Sequence, residues 1–300
     1  MNILQAIPFF VPAWDYGGPV RSCYETSKEL VRRGHNVTVY TTDFLDAKTR
    51  IERAEEIIDG IKVKRFKNLS NILAYKHNIY VPKGLLLATR KELGGVDIIH
   101  MQDYRTIQNV VFHRYAKKRG IPYILQARGS LPRIMAKQGL KKLYDVSWGY
   151  RLLKDASRVI ALTSIEAKQY ENMGVPQSKI EVVPNAIDLS EYNRLPEKAA
   201  FREKYGMDDR ERIVLYLGRI HKIKGLDLLA KAFANLSQEL DNTKLVITGP
   251  DDGYFSTLKA LVATLKIEEK VLFTGPLYDR SIQGVYVAAD VYVLPSIYEI

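Results

Sequence analysis

Short apolar runs rich in β-branched residues alternate along the chain with segments in which apolar residues recur every three or four positions. The runs predict strands of parallel sheets, because a strand buried on both faces is apolar at nearly every position. A first series of strands is predicted at Ile3–Pro8, Val37–Thr41, Ile61–Phe66, Asp97–His100, Tyr123–Gln126, Arg158–Ala161 and Ile180–Val183. A second series is predicted at Ile213–Gly218, Lys244–Thr248, Val271–Thr274 and Val291–Leu294.

The segments between these runs have the spacing of amphipathic helices. Two such helix faces are formed by Val20, Cys23, Tyr24, Ser27, Leu30 and Val31, and by Leu226, Leu229, Phe233, Leu236 and Leu240. Alternating strands and helices predict an α/β fold with doubly wound parallel sheets that are covered on both faces.

A polar, turn-rich stretch at 184–198 separates the two series of strands. This composition is typical of a connection between domains. We therefore predict an N-terminal domain at 1–183, a linker at 184–198 and a C-terminal domain at 199–300. A length of 300 residues agrees with two domains of ordinary size.

The composition, with 46% hydrophobic and 26% charged residues, is that of a soluble globular protein. The single cysteine, Cys23, excludes an intrachain disulfide and is expected on the buried face of the first helix. The residues Met1–Leu4 start as a strand and not as a signal peptide, and no apolar run approaches the roughly 18 residues of a membrane-spanning helix. We expect a cytoplasmic protein.

The net charge of +11 is concentrated in one segment, Arg114–Lys154. This segment contains eleven Lys and Arg residues and a single acidic residue, Asp145. A concentrated basic face attracts phosphates, anionic lipid or nucleic acid, and the alternative is a solvated surface.

A loop with two adjacent glycines, Gly17 and Gly18, follows Asp15 and Tyr16 between the first predicted strand and the first helix. Ligands of open parallel sheets bind at the carboxyl ends of the strands. Glycines let a ligand approach the backbone, and a helix N-terminus offers free N–H groups. An ordinary loop that turns into a helix is the alternative.

A second strand-to-helix loop clusters basic side chains, with Gly218 and Arg219 at its start and Lys224 and Gly225 at its end. Because a helix N-terminus is itself positive, an anion is the natural complement of these side chains. A solvated basic turn is the alternative, and the spacing is not that of a P-loop.

Polar side chains follow or end three further strands. His100 ends its predicted strand, Arg128 follows Tyr123–Gln126, and Ser296 and Glu299 follow the last strand. Such positions lie at the edge where ligands bind. The alternatives are a hydrogen-bonded histidine at the edge of the core and, for the last pair, the start of a helix.

In their order and spacing these motifs resemble glycosyltransferase family 4. The resemblance covers nearly the whole chain and rests on Gly218-Arg219 with Lys224-Gly225, Val246-Ile247-Thr248-Gly249, Val271-Leu272-Phe273-Thr274-Gly275, Ala289-Asp290-Val291 with Pro295-Ser296-x-x-Glu299, and also Gly17-Gly18-Pro19 and Pro184-Asn185-x-Ile187-Asp188. It implies a GT-B fold, in which two Rossmann-like domains face a cleft.

The resemblance also implies roles. Arg219 and Lys224 would hold the donor diphosphate, Glu299 would contact the donor sugar, and His100 would lie near the reacting sugar. The donor site would be completed by Gly17, Gly18, Gly218, Gly249, Gly275, Pro276, Leu277 and Ser296, with Asp15, Tyr16 and Arg128 on the acceptor side or cleft rim. No metal is implied, because basic side chains and helix dipoles take its place.

Three features depart from the family pattern. Ala186 stands in the place of a usual glycine, and Gln126-Ala127-Arg128-Gly129 stands where many members carry a second histidine, although a subgroup has Pro-Arg-Gly there. The chain also stops at Ile300, before the second glutamate of the Glu-x7-Glu motif. We therefore expect an incomplete second domain and an inactive fragment.

These observations predict a retaining transferase that moves a hexose from a nucleoside diphosphate sugar to a glycan or lipid-linked acceptor, in cell-surface polysaccharide or glycoconjugate synthesis. The donor is expected to be a UDP sugar, with a GDP sugar as the alternative, and no further cofactor is expected. Arg114–Lys154 is expected to meet an anionic membrane surface, and no nucleic-acid partner is expected. The rival functions are a sugar-nucleotide epimerase of similar fold and a non-catalytic anion-binding module.

Overall fold

The computed structural model describes residues 1–133, 137–278 and 280–298. The chain forms two compact units, of which the first extends from Met1 to Ile187 and the second begins at Asp188. Each unit is an α/β fold with its own sheet and its own core.

The strands of the first unit are β1 (Asn2–Ala6), β2 (Asn36–Thr42), β3 (Glu55–Ile58), β4 (Ile61–Phe66), β5 (Ile98–Gln102), β6 (Tyr123–Gln126), β7 (Arg158–Ala161) and β8 (Ile180–Val182). Within the described residues they form one eight-stranded sheet in the order β3-β4-β2-β1-β5-β6-β7-β8. All neighbouring pairs are parallel except β3 and β4, which form an antiparallel hairpin at the edge. The hairpin was not predicted, because β3 contains only two apolar residues, Ile57 and Ile58, after two glutamates.

The helices of the first unit are α1 (Gly18–Arg32), α2 (Asn71–His77), α3 (Leu85–Glu92), α4 (Ile107–Arg119), α5 (Gln138–Tyr144), α6 (Tyr150–Asp155) and α7 (Ser164–Asn172). A π-helical turn, Asp145–Gly149, joins α5 to α6. No helix among the described residues is both long and apolar enough to cross a lipid bilayer.

Successive residues of β1 enter different cores, which is why its apolar run is continuous. Ile3 belongs to the cluster that α1 covers with Val20 and Cys23, whereas Leu4 belongs to the cluster on the opposite face. The predicted burial of Cys23 on α1 is confirmed, since its side chain is fully buried. Burial on both faces stabilises such a strand by about 1.5–3 kcal/mol for each large aliphatic side chain.

A buried carboxylate fixes the middle of the basic segment. Asp145 is fully buried and accepts hydrogen bonds from Nε and Nη2 of Arg105, at 2.9 and 2.8 Å, and from Nε of Arg133 at 2.8 Å. Arg105 also donates to the Leu131 carbonyl at 2.8 Å. The single acidic residue of the basic segment therefore anchors the α5–α6 region to the loop after β5.

The strands of the second unit are β9 (Arg212–Leu217), β10 (Thr243–Thr248), β11 (Val271–Gly275) and β12 (Val291–Tyr292), and its helices are α8 (Lys198–Lys204), α9 (Leu226–Glu239), α10 (Phe255–Thr264) and α11 (Arg280–Ala288). Over the described residues the four strands are parallel, in the order β11-β10-β9-β12. Tyr216 of β9 packs into one core cluster and Leu215 into the other, so both faces of β9 are covered.

Three sequence predictions are corrected. His100 does not end its strand, because β5 continues to Gln102 and His100 pairs with Gln5 of β1 and Ile124 of β6. The last strand covers only Val291–Tyr292 of the predicted Val291–Leu294, and both residues are exposed. Leu240 lies beyond the end of α9 and is exposed.

Candidate functional site

The basic loop of the second unit connects β9 to α9, as its sequence predicts. Gly218 follows β9 directly, a single 3-10 turn occupies Lys222–Lys224, and Gly225 adopts a left-handed conformation with φ of 66° before α9 begins. No side chain caps the N-terminus of α9. Its first N–H groups therefore add their positive potential to that of the loop.

Three predicted glycines come together at the carboxyl ends of β9, β10 and β11. The Gly218 N–H donates to the Thr248 carbonyl at 2.9 Å, and the Gly249 N–H donates to the Gly275 carbonyl at 3.0 Å. Gly249 has φ of 143°, and a Cβ there would lie 1.9 Å from the Gly218 carbonyl oxygen. A side chain at Gly249 would thus push apart the two strand ends that form this edge.

Ser296 belongs to a segment that packs against the basic loop. The Ile297 N–H donates to the Ile223 carbonyl at 2.9 Å, and a Cβ at Gly225 would lie 2.1 Å from the Pro295 carbonyl oxygen. Ser296, half-buried, is therefore close in space to Lys224. Glu299, predicted from the same motif, lies outside the described residues.

Arg219 is exposed, and its Nη1 donates to Oδ2 of Asp252 at 2.6 Å. The Tyr216 hydroxyl donates to the Arg219 carbonyl at 2.8 Å, which fixes the backbone at that point. Lys224 is half-buried. Pro276 and Leu277 follow β11 at the same sheet edge, with Leu277 packed against the core. Asp252 was not predicted, because its loop carries no motif that links it to Arg219.

The glycine loop of the first unit opens α1 as predicted. Gly17 has φ of 70°, and no side chain caps the helix N-terminus. Trp14, Asp15 and Tyr16 form a 3-10 turn just before α1. The Tyr16 ring packs 4.8 Å from the ring of Phe9 and 5.3 Å from that of Phe44, measured between centroids. These ring contacts hold the turn on the body of the unit.

His100 lies in a buried row of polar side chains that crosses β1, β5 and β6. Its Nε2 is 3.2 Å from Nε2 of Gln102, which also donates to Oε1 of Gln5 at 3.0 Å. Burial, and secondarily the charge of Arg128, lowers the pKa of His100 from 6.5 to about 3. The imidazole is therefore neutral at physiological pH. Polar residues inside otherwise apolar strands were the available signal for this row.

Arg128 follows β6 in a left-handed conformation, with φ of 49°. Its Nε donates to Oε1 of Gln102 at 2.7 Å and its Nη1 donates to Oδ1 of Asn185 at 3.2 Å. The same Asn185 oxygen accepts from the Ser22 hydroxyl at 2.8 Å. Ser22 and Asn185 were not predicted as site residues. Asn185 lies 57 residues after Arg128 in the chain, so the sequence gives no local sign of their contact.

No group of three or more His, Cys, Asp or Glu side chains that could hold a metal ion occurs in the described ranges. In the loop from Gly218 to Gly225, the positions predicted for donor binding are basic side chains and a glycine backbone. Their chemistry suits a phosphate.

Two family models match successive parts of the chain. The family model described as Glycosyltransferase Family 4 matches residues 16–191, and the model described as Glycosyl transferases group 1 matches residues 197–300. A D-inositol 3-phosphate glycosyltransferase of Nocardia farcinica is 34% identical, and the alignment covers 94% of this chain and 65% of the relative. An alpha-monoglucosyldiacylglycerol synthase of Streptococcus pneumoniae is 29% identical, with 93% and 63% covered. The chain thus spans slightly less than two thirds of the length of both relatives.

A solved structure of the HepE protein of Anabaena in complex with UDP-glucose is similar in fold, with a TM-score of 0.66. The two chains are 19% identical, and the similarity covers 97% of this chain and 73% of that one. Fold and family models therefore lead to one assignment. The chain belongs to glycosyltransferase family 4, with a GT-B fold whose second sheet is the smaller.

Proposed function

We propose that the chain is part of a retaining glycosyltransferase that moves a hexose from a nucleoside diphosphate sugar to a glycan or lipid-linked acceptor. The observation that carries this proposal is the loop from Gly218 to Gly225. It offers Arg219, Lys224 and an uncapped helix N-terminus beside the strand ends at Gly218, Gly249 and Gly275.

The loop suits the chemistry of the leaving group. In the transfer, the bond between the anomeric carbon and the diphosphate oxygen breaks, and negative charge gathers on the diphosphate. Arg219 and Lys224 oppose that charge from positions fixed before the reaction starts. Loss of one such preorganised donor typically lowers the rate by about 10²–10³-fold.

A UDP sugar is the favoured donor, and a GDP sugar is the alternative. The solved HepE structure contains UDP-glucose, which supports a uridine nucleotide. In this proposal Gly275, Pro276 and Leu277 border the base, and Glu299 contacts the donor sugar.

Binding of UDP to the Arg219→Ala variant tests the proposal. We expect the affinity to fall at least tenfold by calorimetry, since a charge-assisted hydrogen bond contributes about 1.5–3 kcal/mol. Stability should barely change, because the pair with Asp252 is exposed. Lys231→Ala, an exposed lysine on α9, is the control and should bind UDP like the wild type. Equal UDP affinity in the Arg219→Ala variant would remove the basis of the proposal.

The rival functions give different results. An epimerase would interconvert UDP sugars with no acceptor present. An anion-binding module would bind nucleic acid in a strongly salt-dependent way and would not bind UDP. Either outcome replaces the proposal.

The acceptor is proposed to lie at an anionic membrane surface. One relative is named for the synthesis of alpha-monoglucosyldiacylglycerol, which is a lipid. In the basic segment, Leu140, Leu143 and Val146 are 61, 62 and 64% exposed. They follow one another at intervals of three residues on α5 and the π-helical turn.

Exposed basic side chains flank these apolar residues, namely those of Lys137, Lys142 and Arg151. A helix with apolar residues on one face and basic residues beside them is typical of interfacial binding to anionic lipid. Each basic residue near such a surface contributes about 1 kcal/mol.

Sedimentation with vesicles tests the membrane contact. We expect the chain to bind vesicles of phosphatidylcholine with phosphatidylglycerol, to bind pure phosphatidylcholine weakly, and to dissociate at high salt. The double variant Leu140→Ser/Leu143→Ser should partition at least tenfold less, because each leucine gives up about 1.5–3 kcal/mol of burial. Leu228→Ser on α9 is the matched control, since Leu228 is equally exposed at 62%. Equal binding to both vesicle types would contradict the proposal.

A further inference from the structure

Arg128 is a half-buried cation with neutral partners. Its guanidinium donates to the amide oxygen atoms of Gln102 and Asn185, at 2.7 and 3.2 Å. No carboxylate of the described residues forms an ion pair with it. Burial lowers the pKa of Arg128, the direction expected when a charged form is poorly solvated.

In the part of the chain that the structure describes, no carboxylate hydrogen-bonds to Arg128, although those of Glu166 and Asp103 raise its pKa from a greater distance. His100 is uncharged at physiological pH. The Cys23 thiol is also uncharged, because burial raises its pKa to about 11. The Glu166 carboxylate accepts from the N–H groups of Gly129 and Leu162, both at 2.7 Å, and is engaged there. A partly buried charge whose direct hydrogen-bond partners are neutral amides is incompletely compensated, and an anionic ligand in direct contact would lower that cost.

The backbone at Arg128 is held in a strained conformation. Arg128 has φ of 49°, which is unfavourable for a residue with a Cβ. Two contacts hold it, the hydrogen bond from Gly129 N–H to Glu166 and the 2.6 Å hydrogen bond from the Ser130 hydroxyl to the Ala127 carbonyl. Strain that the surroundings over-determine is typical of functional positions.

A second donor lies beside the guanidinium. Asn185 is exposed, and its amide oxygen accepts from both Arg128 and Ser22. Its amide nitrogen has no hydrogen-bond partner among the described residues, so it is available to a ligand. An arginine fork and an amide N–H₂ group together match an anion with several acceptor oxygen atoms.

We propose that Arg128 and Asn185 bind a phosphate group carried by the acceptor. The inference rests on the proposed function and deepens it, since it defines the chemical class of the acceptor. The donor phosphates have other proposed ligands, Arg219 and Lys224 in the second unit and the backbone of Gly17 and Gly18 in the first. Arg128 and Asn185 both belong to the first unit.

Titration with inorganic phosphate, in the presence of saturating UDP, tests the site. We expect wild-type chain to bind phosphate and to gain thermal stability from it. Arg128→Gln should weaken this binding at least tenfold. Arg128→Lys should weaken it less, because it keeps the charge but loses the fork. The UDP affinity of these variants should stay within twofold of the wild type.

Asn185→Asp is the sharpest variant, because it puts a carboxylate where Arg128 already donates. We expect a higher melting temperature than the wild type and at least tenfold weaker phosphate binding. It also replaces Arg128→Gln as the test if that variant fails to fold.

Three outcomes would overturn the inference: phosphate binding unchanged in Asn185→Asp, phosphate binding that UDP abolishes, or a UDP affinity that falls together with the phosphate affinity. The Arg219→Ala variant separates this inference from the proposed function, because it should lose UDP binding and keep phosphate binding. If wild-type chain binds phosphate but not UDP, the proposed function fails and the phosphate site remains.

Discussion

A Cβ atom at Gly249 would lie 1.9 Å from the carbonyl oxygen of Gly218. The two residues follow neighbouring strands of the second unit, and each was predicted to bind the donor. Gly249 lacks room for a side chain because of this contact, and a Cβ at Gly218 would lie 2.8 Å from the Tyr216 hydroxyl oxygen. The close approach makes the proposed donor edge sensitive to the smallest substitution.

Gly249→Ala should destabilise the chain by at least about 4 kcal/mol, because it combines a backbone clash with a φ of 143° that L-residues avoid. The measurement is urea unfolding followed by circular dichroism. Gly284→Ala is the matched control, since Gly284 lies in α11 and a Cβ there meets no atom within 4 Å. A stable Gly249→Ala variant would show that the strand ends separate easily.

Asp145→Asn should lower the free energy of unfolding by about 3–5 kcal/mol, the range for a buried ion pair that loses one partner. The variant leaves Arg105 with a side chain only 11% exposed and no carboxylate. Chemical denaturation of the full chain measures the loss. Glu29→Gln removes a surface carboxylate that pairs with Arg32 and Arg33, and its midpoint should be almost unchanged. Similar denaturation midpoints for Asp145→Asn and Glu29→Gln would contradict a stabilising role of the buried ion pairs of Asp145.

Stability should fall in acid partly through His100. Because its pKa is about 3 in the folded chain and 6.5 otherwise, the unfolded chain binds a proton that the folded chain excludes. This contribution is present above pH 6.5 and is lost as the pH falls toward 3, at up to about 1.4 kcal/mol per pH unit.

His100→Gln lacks that titration, so the stability difference between wild type and variant should shrink steadily between pH 6.5 and 4. His77→Gln, at an exposed position, is the control and should follow the wild-type curve. If the stability of the His100→Gln variant changes with pH in parallel with that of the wild type, the assignment of a buried neutral imidazole is contradicted.

Cys23 should be inert to thiol reagents in the folded chain. Its side chain is fully buried, and burial raises its pKa to about 11, so neither access nor thiolate is available. Reaction with a chromogenic disulfide should require unfolding and should become rapid in denaturant. Ser178→Cys, at an exposed position, provides a reactive control. Rapid labelling of Cys23 without denaturant would indicate local opening of α1.

The sequence determined the elements that are set by local pattern. The apolar runs predicted β4, β6 and β7 to the residue, and the periodicity of α1 predicted the burial of Cys23. The loop from Gly218 to Gly225 was also predicted, because glycines and basic residues at a strand-to-helix junction are contiguous in sequence. In each of these cases the prediction depends only on residues that are close together in the sequence.

Contacts between polar groups that are distant in the chain could not be predicted and became visible in the folded structure. The pairing of Arg128 with Asn185 spans 57 residues, and that of Arg105 with Asp145 spans 40. The strand order β11-β10-β9-β12 likewise depends on pairing between strands that are distant in the chain, which an apolar run does not reveal. Hydrophobic periodicity reports which face of an element is buried, but the partner of a charged side chain depends on how the chain returns to it, and no local pattern contains that information.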